Sequence, residues 1–155
     1  QRREWAHEGE LEWRVTELPE HAGTQRWVAD LNRFYRNTPA LWQLDFSNEG
    51  FEWIDANDAG QSVLTFLRKP GGAGGQVLVA CNLTPVPREN YFIGVPRAGV
   101  WTETLNSDAR VYGGSGWGNL GKVEAAPVGA HGRPYSIVVT LPPLSTIYFE
   151  SAADG

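Results

Sequence analysis

The hydrophobic pattern of this chain changes its period once, close to residue 46, and this change limits the possible folds more than any other feature. Between residues 23 and 38, apolar side chains recur at the spacing of one helix face. They are Trp27, Val28, Leu31, Phe34 and Tyr35. From Phe51 onward, apolar and polar residues tend to alternate, which is typical of strands. The pattern therefore predicts one helix followed by a β domain.

The predicted helix has one apolar stripe that must be covered. Pro39 ends the helix, because a proline pushes the residue before it out of the α region. A single amphipathic helix buries its stripe on another element. We therefore expect the stripe to pack against the β domain or against a second copy of the chain. The residues expected to be buried in this way are Trp27, Leu31, Phe34 and Tyr35.

The β domain is predicted to be an antiparallel β-sandwich, because seven or eight short strands follow one another with turn residues between them. Residues 91–95 and 100–105 are expected to pair as a hairpin that turns at residues 96–99. The glycine-dense segment 113–121 is expected to be a flexible or tightly turned surface loop. The residues expected to face inward are Val77, Val79, Ile137, Val139 and Phe149.

Charge and motif content exclude several functions. A net charge of −5 without a basic patch argues against binding to nucleic acid or to an anionic membrane. No apolar run has the length of a membrane span. The sequence contains no nucleophile motif, phosphate loop or metal-ligand spacing, so we expect no cofactor, no metal and no catalytic residue. The single cysteine favours a reducing compartment, here the cytoplasm, and the lack of methionine predicts a piece of a longer protein.

Short segments spread over nearly the whole chain carry a family resemblance. Residues 82–88, with the sequence NLTPVPR, are the most specific of these segments. The others are residues 3–5, 23–26, 30–32, 35–36, 44–46, 50–53, 105–108, 112–115, 131–133 and 141–146. In their order and spacing, these segments resemble the C-terminal end of bacterial glycogen branching enzymes, which are members of the α-amylase superfamily.

The resemblance implies a layout and an activity. Residues 1–46 would be the last loop and helix of a catalytic (β/α)8 barrel, and residues 47–155 the all-β C-terminal domain of the superfamily. The parent enzyme would cut α-1,4-glucan chains and rejoin them as α-1,6 branches, using an aspartate nucleophile and a glutamate acid/base. No residue here matches those carboxylates. We therefore expect a non-catalytic piece whose partners are the N-terminal and catalytic domains of the same protein.

The resemblance also suggests which residues contact the α-glucan substrate. Arg3, Glu4 and Trp5 would belong to the last βα loop of the barrel, which faces the active-site cleft. Trp53, on the first strand, offers a flat apolar face to a sugar ring, and Asp55 is expected on the same strand face. Trp117 is the reserve candidate. It is not part of the family's loop motif, and the loop varies in the family at the positions of Asn119 and Leu120.

Two other interpretations stay open at this stage. The chain could be an autonomous carbohydrate-binding module, which should carry a row of exposed aromatic residues. Trp53 and Trp101 are the strand positions that would supply part of such a row. It could also be a purely structural cap on the barrel. A separate alternative for Trp53 is that it is a core residue that anchors the first strand.

Overall fold

The described part of the chain folds into one long helix followed by eight strands. The structure is a computed structural model that describes residue 5 and residues 7–152. Helix α1 covers Pro19–Asn37. The strands are β1 (Phe51–Asp58), β2 (Val63–Arg68), β3 (Val77–Asn82), β4 (Arg88–Val95), β5 (Gly99–Asn106), β6 (Lys122–Ala125), β7 (Tyr135–Leu141) and β8 (Ser145–Ser151). Short 3-10 turns lie at Trp13–Glu17, Pro39–Leu41, Asn48–Gly50 and Arg110–Tyr112.

The strands form two antiparallel sheets. The larger sheet has six strands in the order β1-β2-β3-β8-β5-β6, and the smaller one pairs β4 with β7. The prediction of a mainly β, antiparallel sandwich that follows a helical segment is confirmed. The space between the sheets is filled by alternate residues of the strands, as a two-sheet core requires. Buried side chains in this core include Ile93, Trp101, Ile137, Val139, Ile147 and Phe149.

The second face of the six-stranded sheet is also apolar, and helix α1 covers its centre. Phe34 of the helix packs edge-on against Tyr148 of β8, with ring centroids 5.6 Å apart. Trp27 meets the same tyrosine at 6.4 Å. Val77 and Val79 of β3 belong to this helix-facing cluster, whereas their neighbours Leu78 and Ala80 face the smaller sheet. All five residues predicted to face inward are buried, but the two valines face the helix and not the space between the sheets.

The apolar stripe of the helix is only partly covered. Phe34 is buried, and Trp27 and Leu31 are partly buried, as predicted. The prediction for Tyr35 is wrong, because its ring is exposed and its hydroxyl donates a hydrogen bond to Asp45 at 3.1 Å. That hydrogen bond to a carboxylate raises the pKa of Tyr35. The contact between helix and sheet is narrower than the apolar stripe of the helix. Val28 and Tyr35, at the side of the stripe, therefore point away from the sheet.

The segment that joins the helix to β1 is held against β2 by Arg68. The guanidinium group donates to the carbonyl oxygens of Leu41 and Gly50 and to the carboxylate of Asp45. The hydrogen bond from Arg68 lowers the pKa of Asp45, and the hydroxyl of Tyr35 adds to this effect. One arginine thus fixes the start of the edge strand relative to the helix.

Two details of strand pairing differ from the expectation. Strands β4 and β5 do not form a hairpin, because β4 pairs with β7 and β5 pairs with β8 and β6. The connection at residues 96–98 therefore carries the chain from one sheet to the other, which places both Val95 and Trp101 in the core between them. Strand β6 was not predicted, since it has only four residues and follows the glycine-dense segment.

Asn82 ties the end of β3 to the turn between β7 and β8. It is buried, and its side-chain amide donates to the carbonyl oxygens of Val86 and Pro142, both at 2.8 Å. Its side-chain oxygen accepts hydrogen bonds from the backbone N–H and the hydroxyl of Thr84. Segment 82–88 is therefore distinctive because a buried amide organises it.

We expect Asn82→Ala to lower the free energy of unfolding by about 2–4 kcal/mol, because the buried carbonyl oxygen of Pro142 and the partly buried backbone N–H of Thr84 would lose their partner. The matched control is Asn57→Ala, at an exposed position of β1, where we expect a change within about 0.5 kcal/mol. Urea denaturation of the wild type and both variants measures this. An equal, small effect in the two variants would contradict the role given to Asn82.

Candidate functional site

Three aromatic side chains form an exposed patch at the β1 edge of the larger sheet. Phe51 and Trp53 of β1 and Phe66 of β2 make up this edge aromatic patch. Trp53 lies opposite Phe66 in the strand register. The ring centroids are 4.9 Å apart for Phe51 and Trp53, 5.2 Å for Phe51 and Phe66, and 5.7 Å for Trp53 and Phe66. The three rings thus support one another as a single surface.

The edge aromatic patch continues the apolar face that helix α1 covers. Phe66 packs against the helix-facing cluster, whereas Trp53 lies beyond the cover and is about half exposed (51%). As expected for an edge strand, Phe51 and Trp53 look outward while Ile54 enters the core between the sheets. The alternative that Trp53 is a core residue is therefore wrong.

Ion pairs of Glu52, on the opposite face of β1, hold this strand in place. Arg133, from the loop before β7, donates to the carboxylate of Glu52 and, at 3.0 Å, to the carbonyl oxygen of Trp53. Lys69 donates to the same carboxylate at 3.1 Å. Partial burial works against ionisation of Glu52, but these two cations lower its pKa overall. The backbone that carries Trp53 is therefore fixed from behind.

Asp55 does not lie beside Trp53, contrary to the prediction. The register of β1 shifts between Trp53 and Asp55, so that Asp55 pairs with Thr65 and turns to the other face of the sheet. There its carboxylate lies 3.6 Å from Nε2 of His131. An inserted residue of this kind reverses the alternation of a strand, and no local feature of the sequence marks it.

The glycine-dense loop (residues 113–121) is tightly turned and held by side chains. The carboxylate of Asp108 accepts hydrogen bonds from the N–H and hydroxyl of Ser115 and from the N–H of Trp117. Asn106 donates to the carbonyl oxygen of Trp117 at 2.8 Å. The backbone N–H and the carbonyl oxygen of Trp117 are thus both held by hydrogen bonds. Its side chain is partly exposed (42%) and lines an open concavity next to Arg110.

The structure does not bring the predicted site residues together. Arg3 and Glu4 lie outside the described residues, and Trp5 is almost fully exposed. Trp53 is on strand β1 and Trp117 is in the loop before β6, and these strands are the two opposite edges of the larger sheet. Because Trp101 is fully buried, the prediction that it supplies part of a row of exposed aromatics is wrong.

Phe66 is the member of the edge aromatic patch that was not singled out from the sequence. Its strand carries apolar residues on both faces, so the sequence alone did not show which of them borders an edge. Within the described residues, no group of three or more potential metal ligands comes together. No described helix has the length and apolar character needed to cross a bilayer.

Comparison with known proteins gives a family match and close relatives. Residues 53–152 match the family described as alpha amylase, C-terminal all-beta domain. The 1,4-alpha-glucan branching enzyme GlgB of Albidiferax ferrireducens is 65% identical over 97% of this chain. Proteins of the same name from Aromatoleum aromaticum and Aquifex aeolicus are 60% and 52% identical over 99% and 96% of it. The chain spans 24% of the length of each of these relatives.

We expect Gly114→Ala to destabilise the fold by roughly 1–3 kcal/mol, the usual effect of overpacking. The added Cβ would lie 2.2 Å from the backbone oxygen of Asp108 and force the loop apart. Gly72→Ala is the control, since a Cβ at that position meets nothing within 4 Å. Thermal unfolding compares the two. A loop that tolerates both changes equally would be flexible, contrary to the hydrogen bonds described above.

Proposed function

This chain belongs to the alpha amylase C-terminal all-beta domain family, and from this premise we propose that it is the C-terminal part of a glycogen branching enzyme. One observation carries the proposal. Almost the whole length of this chain is highly identical to a segment of proteins named 1,4-alpha-glucan branching enzyme, and that segment makes up about a quarter of each of those proteins. The parent enzyme would cleave α-1,4-glucan chains and transfer them to form α-1,6 branches. The catalytic carboxylates of that retaining reaction would come from another part of the parent.

We propose that the chain works in the cytoplasm as a support for the catalytic barrel. In this layout residues 1–46 complete the barrel and residues 47–155 form the accessory domain. The apolar side chains exposed in and beside the helical part support this arrangement, because isolated surfaces of this kind are usually covered by a partner. Exposed examples are Leu11, Trp13, Leu18, Val28 and Phe46. The partner would be the remaining domains of the same protein.

The edge aromatic patch is proposed to bind the α-glucan substrate away from the catalytic cleft. A pyranose ring presents an apolar C–H face that can lie on the exposed indole of Trp53, and its hydroxyl groups remain free for polar contacts. Phe51 and Phe66 hold the indole upright, and the ion pairs of Glu52 fix the strand. Arg3, Glu4 and Trp5 stay candidates for contact with glucan nearer the cleft. The alternative function is a structural cap without sugar contact.

We expect this chain to replace the aligned quarter of the Aquifex aeolicus relative and to leave a chimera that branches amylose. The 52% identity predicts that the packing contacts are compatible. The measurement is the formation of α-1,6 linkages, followed by debranching and chain-length analysis. The 155-residue chain by itself is the matched control and should form none. A folded but inactive chimera, or branching by the chain alone, would contradict the proposal.

We expect Trp53→Ala to weaken maltoheptaose binding about fivefold or more, since a stacked aromatic ring contributes about 1 kcal/mol or more. Trp42→Ala is the control, because Trp42 has similar exposure (42%) but makes no aromatic contact in the described part of the chain. NMR titration of the tryptophan indole signals measures both. If both variants bind as the wild type does, or if the wild type binds nothing, the domain is a structural cap.

A further inference from the structure

Leu120 occupies a position that does not suit a leucine. Its side chain is fully exposed, and its φ of 55° lies in the left-handed region. Glycine or asparagine normally fills such turn positions, because a leucine there has both an unfavourable backbone and an unburied side chain. Folding gains nothing from this side chain. Strained residues of this kind are concentrated at functional sites.

The backbone on both sides of Leu120 is fixed by Glu103. The N–H and the side-chain amide of Asn119 donate to the Glu103 carboxylate, both at 2.8 Å. The N–H of Glu103 in turn donates to the carbonyl oxygen of Gly121 at 2.9 Å. The side chain of Asn119 also exchanges hydrogen bonds with the backbone of Thr140 on β7. The exposed leucine is therefore displayed from a rigid turn.

Trp117 and Arg110 line the same open concavity as Leu120. The peptide groups of Trp117 are fixed by Asp108 and Asn106, as described above. The guanidinium of Arg110 makes no hydrogen bond or ion pair with any other residue that the structure describes. Of the described residues that line the concavity, Arg110 is the only basic one. The polar side chains of Glu103 and Asn119, by contrast, are already used inside the loop. The concavity thus presents two large apolar side chains, Trp117 and Leu120, and one guanidinium group whose N–H donors are not used, that of Arg110.

We propose that this loop concavity is a second glucan site, separate from the edge aromatic patch. A short α-1,4-glucan segment has the matching chemistry, because the C–H faces of its rings suit the indole and the leucine, and its hydroxyls suit the guanidinium. A single cation among apolar groups is too little to select an anionic ligand. The inference rests on the proposed function for the identity of the polymer. Two sites on opposite edges of one sheet would hold a long chain by multivalent binding.

The test follows the indole signal of Trp117 in NMR spectra of the 155-residue chain during titration with maltoheptaose. We expect a saturable shift in roughly the millimolar range for wild type. Leu120→Asn should raise the dissociation constant about fivefold while the melting temperature stays the same or rises, because asparagine accepts the left-handed turn. A leucine with a structural role would give the opposite pair of results.

Leu144→Asn is the matched control. Leu144 is also an exposed leucine with a positive φ (47°), but it lies in the turn between β7 and β8, outside the concavity. We expect it to leave the Trp117 titration unchanged. Equal weakening by both variants, no shift of the Trp117 signal, or an equal response to the β-1,4-linked cellohexaose would overturn the inference. A response of Trp53 without one of Trp117 would refute the loop site and leave the proposed function intact. No response of either would refute glucan contact at both the loop concavity and the edge aromatic patch.

Discussion

The six-stranded sheet has apolar side chains on both faces, so each face needs its own cover before the chain can fold. Its central strands β3 and β8 place Leu78 and Phe149 toward the smaller sheet, and Val79 and Tyr148 toward helix α1. Each large side chain buried in this way contributes roughly 1.5–3 kcal/mol. The helix is therefore part of the packing of the β domain. The predicted domain boundary near residue 46 stays a prediction. It would assign the helix and the sheet face that the helix covers to different domains.

The cover that the helix provides is incomplete, and the candidate site lies where it stops. The same face that is core beneath Phe34 becomes an exposed aromatic surface at Trp53, with Phe66 between the two regions. The edge aromatic patch is also held in place from two sides. Ion pairs on the opposite face of β1 and packing beneath Phe66 both restrain it. A binding surface that continues a core needs little reorganisation on binding, which lowers the free-energy cost of association.

Local patterns in the sequence predicted the elements, and contacts between distant residues decided their arrangement. Alternation located most strands, but a four-residue turn at 96–99 suits a hairpin and a crossing between sheets equally well. The face of Val77 could not be predicted, since β3 is buried on both sides. The shift in β1 moves Asp55, and the hydrogen bonds that the carboxylate of Asp108 accepts shape the glycine-dense loop. Both join residues whose proximity no spacing in the sequence reveals. For Trp53 the sequence left two alternatives open, because an edge strand has one solvated face but the pattern does not show which of its two faces that is.

The requirement for a cover on the second sheet face is tested most directly by comparing two neighbouring helix residues. Phe34 packs on the sheet and Tyr35 points away from it. In urea denaturation, Phe34→Ala should lower the free energy of unfolding by about 3–5 kcal/mol, and Tyr35→Ala by less than about 1 kcal/mol. The predicted result is a single unfolding transition whose midpoint falls strongly for the phenylalanine variant and little for the tyrosine variant. Small and equal losses in the two variants would show that the helix is not needed to cover the sheet.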